Sequence, residues 1–307
     1  MPIMRIVSFL PSATELIFEL GYQDKLFGVT HECVYPKYAQ LKPRVIESVF
    51  DPSNLSSKQI DNKIIELTTE KKDIFKLNNK ELKNAAPDLI ISQEICEVCS
   101  AYTNQVNDAM KLLENKPEIL TMNPHDIEGI LSTIIDISKK IGAKERGEKI
   151  VTSLRTKIEN IKNKTINHKP NVLAIEWIEP FFTAGHWVPE MIEIAGGKNL
   201  ISKKSEHSRK INIEEIINTE PEIIILMPCG FNVDRTVKEY RNNLQNNTKW
   251  NTIKAVKENN IFAVDANSFF SKPSLRTITG IEILAKIIQP DIFHKLEVPR
   301  KSYTKII

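Results

Sequence analysis

Four cysteines in this 307-residue chain could hold one metal centre together. Cys96 and Cys99 are separated by two residues, whereas Cys33 and Cys229 lie far from them in the sequence. Four thiolates can complete a tetrahedral zinc site or hold an iron–sulfur cluster, and the C-x-x-C spacing lets two sulfurs reach one metal from a single turn. Free cysteines are also common as small buried hydrophobic residues. The sequence therefore leaves two interpretations open, a zinc or iron–sulfur site and a set of structural thiols.

The other residues that could bind a ligand follow predicted β-strands. Short apolar runs predict strands at residues 5–9, 26–29, 88–92, 171–175, 222–226 and 261–264. The candidate ligand-binding residues in the loops that follow are Ser12, Thr14, His31, Glu32, Glu94, Glu176, Trp177, His186, Trp187, Phe231, Asn267 and Phe269. In open parallel sheets, ligands bind beyond the carboxyl ends of the strands. Two lobes with facing carboxyl edges would therefore enclose one cleft lined by six loops.

The histidines and aromatic residues among these candidates could bind a cofactor or a large ligand. Neutral imidazole is a general cofactor-binding group, which makes His31 and His186 candidates, and the loop aromatics suit a large flat ligand. Phosphate-binding loops, dinucleotide fingerprints, G-x-S-x-G elbows and H-E-x-x-H motifs are absent from the sequence. Their absence argues against an NTPase, a dinucleotide enzyme, an α/β-hydrolase and a zincin, and we assign no catalytic residues. The remaining histidines are assigned no role; they are His125, His168, His207 and His294.

The elements that position these loops alternate along the chain. Strands alternating with helical patterns predict an α/β fold with two Rossmann-like lobes and mainly parallel sheets, and a further strand is predicted at 118–121. We predict an amino-terminal lobe at 1–125, a bridging helix at 126–164 and a carboxyl-terminal lobe at 165–307. The apolar period in 126–164 also fits two packed helices that meet at Gly142. A capping box is predicted at Ser12-Ala-Thr-Glu15.

Composition and charge exclude several classes of protein. The 42 basic and 39 acidic residues give a net charge of +3 without a long basic block, so no nucleic-acid partner is expected. No run of 18 apolar residues occurs, so membrane insertion is not expected. The first 20 residues read as a strand and not as a secretory signal. We therefore predict a cytoplasmic protein with reduced cysteines.

The sequence resembles a known family over almost its whole length. The opening RIVSFLPSATELIFELGYQDKLFGVTHECVYP is similar to the start of substrate-binding proteins of cobalamin and iron–siderophore ABC transporters. The similarity continues through APDLIIS, VPEMIEIAGGKNLI, EPEIIIL and NNIFAVDANSFFSKPSLRTITGIEILAKIIQP. The loop motifs HECVYP, EICEVC, EWIEP, GHWVPE and PCGF resemble a subgroup labelled cobalamin-binding.

The resemblance implies a fold, a ligand and a partner. It implies the class III periplasmic-binding-protein fold, in which one helix joins two α/β lobes and the ligand lies between them. The implied ligand is cobalamin or a related metal chelate, and the implied partner is an ABC transporter permease. The four cysteines are not a general feature of the exported relatives, so the alternative is a cytoplasmic zinc or iron–sulfur metalloprotein, acting in metal delivery or as an enzyme.

Overall fold

The computed structural model describes residues 4–94, 103–165 and 168–306. The chain divides into two compact units. Unit 1 comprises Met1–Asn54, Asn62–Pro124 and Glu128–Val151, and unit 2 comprises Leu55–Asp61, His125–Ile127 and Thr152–Ile307. Each unit contains a sheet of mostly parallel strands with helices packed against it. The predicted α/β fold class is therefore confirmed.

Unit 1 is built on a six-stranded sheet in the order β4-β3-β2-β1-β5-β6. Its strands are β1 (Ile6–Ser8), β2 (Leu26–Thr30), β3 (Arg44–Ser48), β4 (Phe75–Leu77), β5 (Leu89–Gln93) and β6 (Glu118–Met122). Neighbouring strands are parallel except for the β3–β4 pair. The carboxyl ends of β1, β2 and β5 therefore lie at one edge, as the loop argument requires.

The helices up to residue 140 follow the strands of this sheet in sequence. They are α1 (Pro11–Glu19), α2 (Ser57–Thr69), α3 (Asn79–Ala85), α4 (Thr103–Leu112) and α5 (Ile127–Lys140). The centre of the sheet is tightly packed at Gly28 of β2, where an added Cβ would lie 2.6 Å from Cγ1 of Val45. A side chain at this position would force the neighbouring strand away, which explains the glycine.

Unit 2 repeats this architecture with a second six-stranded sheet. Its strands are β7 (Asn171–Trp177), β8 (Phe182–Thr183), β9 (Lys198–Asn199), β10 (Ile223–Leu226), β11 (Ile261–Val264) and β12 (Tyr303–Ile306). The order is β12-β11-β10-β7-β8, and β9 also pairs with β7. The central strands β7, β10 and β11 are parallel. The four residues of β10 are all buried, as expected for the centre of a sheet covered on both faces.

Capping residues explain where two of the helices in the second half of the chain begin. They are α6 (Lys144–Lys162), α7 (Val188–Ile194), α8 (Ile213–Asn218), α9 (Val233–Asn243), α10 (Lys254–Lys257), α11 (Ala266–Phe269), α12 (Arg276–Ile288) and α13 (Pro290–Phe293). The side chains of Asn212 and Asn232 cap α8 and α9 by accepting from the backbone N–H groups three residues later, at 2.8 and 2.9 Å. Such caps satisfy amides that otherwise have no partner at the start of a helix.

The segment predicted as a bridging helix contains two helices. The helices α5 and α6 are separated by residues 141–143, and Gly142 has a φ of 81°. The division between the units falls inside α6, after Val151. The boundaries 125 and 164 stay a prediction about the domains. The predicted capping box is wrong, because α1 begins at Pro11 with Leu10 as its N-cap and without a side-chain cap.

Candidate ligand-binding loops

Cys33 is a structural thiol of unit 1. The residue is fully buried just after β2, with its Sγ 3.2 Å from Oγ1 of Thr14 and 3.4 Å from Oγ1 of Thr30. Burial raises the pKa of the Cys33 thiol, although both threonine hydroxyls and Arg44 act in the opposite direction. Because metals bind the thiolate form, a thiol held protonated and already hydrogen-bonded is poorly prepared to be a ligand.

The polar residues after the strands of unit 1 differ in how far they reach solvent. Ser12 lies in α1 and is 6% exposed, while Thr14 is fully buried. His31 is half-buried, with its ring centroid 5.7 Å from that of Phe75. Glu32 is also half-buried and Glu94 is exposed. The more accessible candidates of unit 1 are therefore the histidine and the two carboxylates.

An apolar surface after β2 was not predicted from the sequence. The segment 34–41 exposes Val34 by 45%, Tyr35 by 50%, Tyr38 by 73% and Leu41 by 79%. Adjacent exposed apolar residues commonly mark a binding surface. The signal was present in VYPKYAQL, where aromatic and aliphatic residues recur in a segment without the pattern of a strand or a long helix.

In unit 2, an aromatic pair joins the last residue of β7 to the loop after β10. The ring centroids of Trp177 and Phe231 lie 5.5 Å apart at an interplanar angle of 62°. The guanidinium of Arg235 lies 3.7 Å from the centroid of the Phe231 ring. Phe231 is buried, whereas Trp177 is partly exposed. The pair therefore holds the indole in place with part of its surface open.

Glu176 ties the end of β7 to the loop that carries His186. Its Oε2 accepts a hydrogen bond of 3.2 Å from the backbone N–H of Gly185. Burial raises the pKa of the Glu176 carboxyl, against the effect of hydrogen bonds from Ser208 and Gly185. Gly185 packs so closely on the backbone at Ser208 that an added Cβ would clash with it. The carboxyl group therefore shapes a compact turn.

Three further predicted residues have internal partners. Trp187 is 4% exposed, and its Nε1 donates to the carbonyl oxygen of Phe270 at 2.9 Å. Phe269 is 8% exposed. Asn267 accepts from Nζ of Lys272 through its Oδ1 at 2.7 Å. Trp187 and Phe269 pack the loops together, and Asn267 keeps a partly exposed amide.

Unit 2 also brings three histidines together, which we call the histidine cluster: His125, His186 and His207. The ring centroids of His186 and His207 are 4.8 Å apart, and His125 lies 5.6 Å from His186 and 5.7 Å from His207. The pKa of His186 is lowered from 6.5 to about 4, first by burial and then by its two histidine neighbours. Only His186 was among the predicted site residues, because nothing in the spacing of the other two indicates that the fold brings them together.

The proposed thiol centre has no support in the structure. Within residues 4–94, 103–165 and 168–306, no group of three or more His, Cys, Asp or Glu side chains is placed to hold a metal ion. Cys229 is partly exposed, and its backbone N–H donates to the carbonyl oxygen of Glu176 at 3.0 Å. Cys96 and Cys99 lie outside the described residues. Zinc or iron–sulfur binding is therefore not supported.

A surface cavity of about 650 Å³ lies elsewhere in unit 1. Its walls come from β4, α4 and the end of α2, with Phe75 and Leu112 among the apolar lining residues. It includes none of the residues predicted to bind a ligand. In the part of the chain that the structure describes, no helix is long and apolar enough to cross a membrane.

Comparison with known proteins identifies the family. The family model described as "Periplasmic binding protein" matches residues 6–268. The chain belongs to this family. It is 26% identical over 298 residues to an uncharacterized ABC transporter substrate-binding lipoprotein of Bacillus subtilis (strain 168), covering 94% of this chain and 81% of that protein. It is 24% identical over 284 residues to the vitamin B12-binding protein of Vibrio campbellii (strain ATCC BAA-1116), covering 91% and 87%.

A solved structure shows the same fold. The periplasmic heme binding protein from Pseudomonas aeruginosa matches with a TM-score of 0.72 and 16% identity, covering 94% of each chain. The resemblance found in the sequence is confirmed, as is the expectation of a non-enzymatic binding protein of the ABC transporter type.

The prediction of a cytoplasmic protein is wrong. Family members are periplasmic binding proteins, and the relative from Bacillus subtilis is a lipoprotein. The prediction depended on the pattern of the first 20 residues. That pattern is accounted for by β1 and α1, which belong to the sheet and helices of unit 1 and carry no information about location.

Proposed function

We propose that this protein binds cobalamin, or a closely related metal chelate, as the cargo of an ABC transporter. The observation that carries the proposal is the Trp177–Phe231 pair at the carboxyl ends of β7 and β10. A partly exposed indole, fixed by a buried phenyl ring, offers a rigid apolar surface for a large ring. Similarity to a vitamin B12-binding protein over 91% of the chain supports the choice of ligand.

The polar groups near this aromatic pair suit the periphery of a corrinoid. A corrin ring has apolar faces and carries amide side chains around its edge. Asn267 has an amide that can both donate and accept, and its backbone N–H donates to the carbonyl oxygen of Phe231 at 3.1 Å. Glu176 provides a carboxyl group one residue before Trp177. We assign the apolar face of the ligand to the indole and the amide arms to these two residues.

Unit 1 offers a second surface of the same character. Val34 and Tyr35 follow β2 and are about half exposed, and His31 and Glu32 precede them in the same loop. Apolar groups interleaved with a few polar ones are typical of small-molecule sites.

In this proposal the metal ion is part of the ligand, and the protein needs no metal site of its own. A chelated metal already has most of its ligands from the ring, so the protein does not need a set of thiolates. The burial and raised pKa of Cys33 agree with this division of roles.

The test is a calorimetric titration of the purified protein with aquocobalamin, with hemin titrated in parallel. Trp177→Ala should weaken aquocobalamin binding by about 10- to 100-fold, because truncating an aromatic anchor typically costs about 1–3 kcal/mol. Tyr22→Leu is the matched control, since Tyr22 lies between α1 and β2, at the amino ends of the strands. Hemin binding without aquocobalamin binding would reassign the cargo. Equal loss in both variants, or no binding of either ring, would refute the proposal.

A further inference from the structure

The histidine cluster joins three segments of unit 2 that are distant in sequence. His125 directly precedes the residues that lead into α5, His186 lies between β8 and α7, and His207 follows β9. The His125 and His186 rings are stacked, with an interplanar angle of 28°, while His207 meets both rings edge-on. His207 is exposed, so the cluster is in contact with solvent at this residue.

The packing of the cluster favours the uncharged form of imidazole. The Nδ1 atoms of His125 and His186 are buried and have no hydrogen-bond partner. In a neutral ring with its proton on Nε2, Nδ1 is an unpaired acceptor. Protonation would turn it into a buried N–H donor without an acceptor and would add a positive charge in contact with two other rings. Each proton taken up therefore works against the packing of the three rings.

The nearby carboxylates have other partners. Nζ of Lys204 lies 2.8 Å from Oε1 of Glu190 and 3.4 Å from Oδ2 of Asp126. The second oxygen of Glu190 accepts from the backbone N–H of Ile127 at 2.9 Å. Two negative charges thus face one ammonium group, which limits how much they can stabilise an imidazolium.

The charges on the remaining neighbouring segments are also paired. Glu206 lies 3.6 Å from Lys203, and Arg209 is bridged to Glu215. Glu176, at the end of β7, accepts from the turn that precedes His186. These groups belong to the segments packed around the cluster, and none of these contacts is made to an imidazole.

The backbone at the cluster links two loops. The N–H of His186 donates to the carbonyl oxygen of Glu206 at 2.6 Å, and the N–H of Ser205 donates to the carbonyl oxygen of His186 at 3.0 Å. His186 has a φ of 54°, a conformation that costs a non-glycine residue about 1–3 kcal/mol and persists only where the surroundings hold it. A loss of ring packing would release this conformation.

We propose that the histidine cluster is a proton-operated switch of ligand binding. At neutral pH the packed rings hold segments 184–188 and 203–208 together beside the end of β7. As the pH falls from about 7.5 to about 5, proton uptake by His186 in the opened form favours separation of the two segments and lowers the affinity for the ligand. The effect on the ligand rests on the proposed function, whereas the opening of the segments does not.

The size of the effect follows from the environment of His186. Its pKa is about 4 in the packed cluster, against 6.5 for an ordinary histidine. The equilibrium constant for opening therefore rises by up to about 30-fold between about pH 7.5 and pH 5. Since His186 is partly exposed, screening by solvent reduces this to roughly 10-fold.

The opening is tested on the ligand-free protein by amide hydrogen exchange. Exchange in 184–188 and 203–208, corrected for the intrinsic pH dependence, should rise roughly 10-fold between about pH 7.5 and pH 5. His186→Asn should reduce the rise to less than about 3-fold, because the imidazole whose pKa is lowered by burial is removed. His294→Gln is the control, since His294 is exposed outside the cluster. His186→Gln provides a second variant in case the first perturbs folding.

The effect on the ligand is measured with aquocobalamin at the same two pH values. The ratio of the two affinities should be roughly 10-fold in the natural protein and in His294→Gln, and should approach 1 in His186→Asn. Exchange that does not change with pH, or an unaltered pH dependence in both cluster variants, would overturn the switch. Failure of aquocobalamin to bind at either pH would instead contradict the proposed function, while the exchange result would still decide on the opening.

Discussion

Replacing Glu239 with alanine should destabilise unit 2 by about 3 kcal/mol. Glu239 lies in α9 and is only 5% exposed. Its Oε1 accepts from the backbone N–H of Ser57 at 2.8 Å and from Nδ2 of Asn243 at 3.0 Å, and the Ser57 hydroxyl also bonds to it. Ser57 is fully buried at the first position of α2, where the helix itself supplies no acceptor for its N–H.

The magnitude follows from the donors that lose their acceptor. A buried donor without a partner costs about 1–3 kcal/mol, and the amide of Ser57 has no helical alternative. Its hydroxyl can rotate, and the buried carboxylate no longer has to be desolvated, so the total stays near 3 kcal/mol rather than twice that. Glu239→Gln keeps an oxygen at the same place and should cost about 1 kcal/mol.

The assay is urea unfolding followed by circular dichroism. Glu297→Ala serves as the control, since Glu297 is exposed, and it should change the free energy of unfolding by less than about 0.5 kcal/mol. If Glu239→Ala also stays within about 1 kcal/mol of the natural protein, the Ser57 donors are satisfied in another way and the argument fails.

Three further predictions concern single residues. Cys33 should resist alkylation in the native protein near pH 8, since it is fully buried and its thiol pKa is raised; labelling at the rate of global unfolding would agree with this, whereas labelling as fast as a free thiol would contradict it. Gly28→Ala should lower the free energy of unfolding by about 1–3 kcal/mol in urea titrations, because the new Cβ would meet Val45, and an unchanged midpoint would show that β2 can shift. Stability should fall as the pH drops from 6.5 to about 4, because the unfolded chain protonates His186 before the folded protein does; we expect a loss of ~2 kcal/mol after screening, absent in His186→Asn.

Most of the main strands could be predicted because they are buried apolar runs, whereas only one of the five residues of β6 is buried. The seven predicted strands all occur, from β1 to β11, with ends that differ by at most two residues. The strands that were missed include β4, with three residues, and β8 and β9, with two each. Such short segments become strands through pairing with a neighbour, which leaves little trace in the local sequence. The polar segment 51–76 hides α2 for a similar reason, since that helix carries mostly polar residues.

The candidate site could be predicted only where the local sequence places a residue at or just after the end of a strand. Trp177 ends β7 and Phe231 follows β10, and their contact is expected because β7 and β10 are neighbours in one sheet. The partnership of His125 and His207 with His186 could not be predicted, because it depends on how the segments around β8 and β9 fold back. The same limit explains Cys33: a cysteine after a strand predicts a loop position, but whether the side chain points to solvent or into the core depends on packing.

All three tryptophans of the chain belong to unit 2, at positions 177, 187 and 250. Indole emission excited near the red edge of its absorption therefore comes from that half of the protein alone, while the other half is optically silent at those wavelengths. A melting curve followed by tryptophan fluorescence would therefore report on unit 2, whereas one followed by far-UV circular dichroism would report on both units. A difference between the two midpoints would show that the units do not unfold in a single cooperative transition.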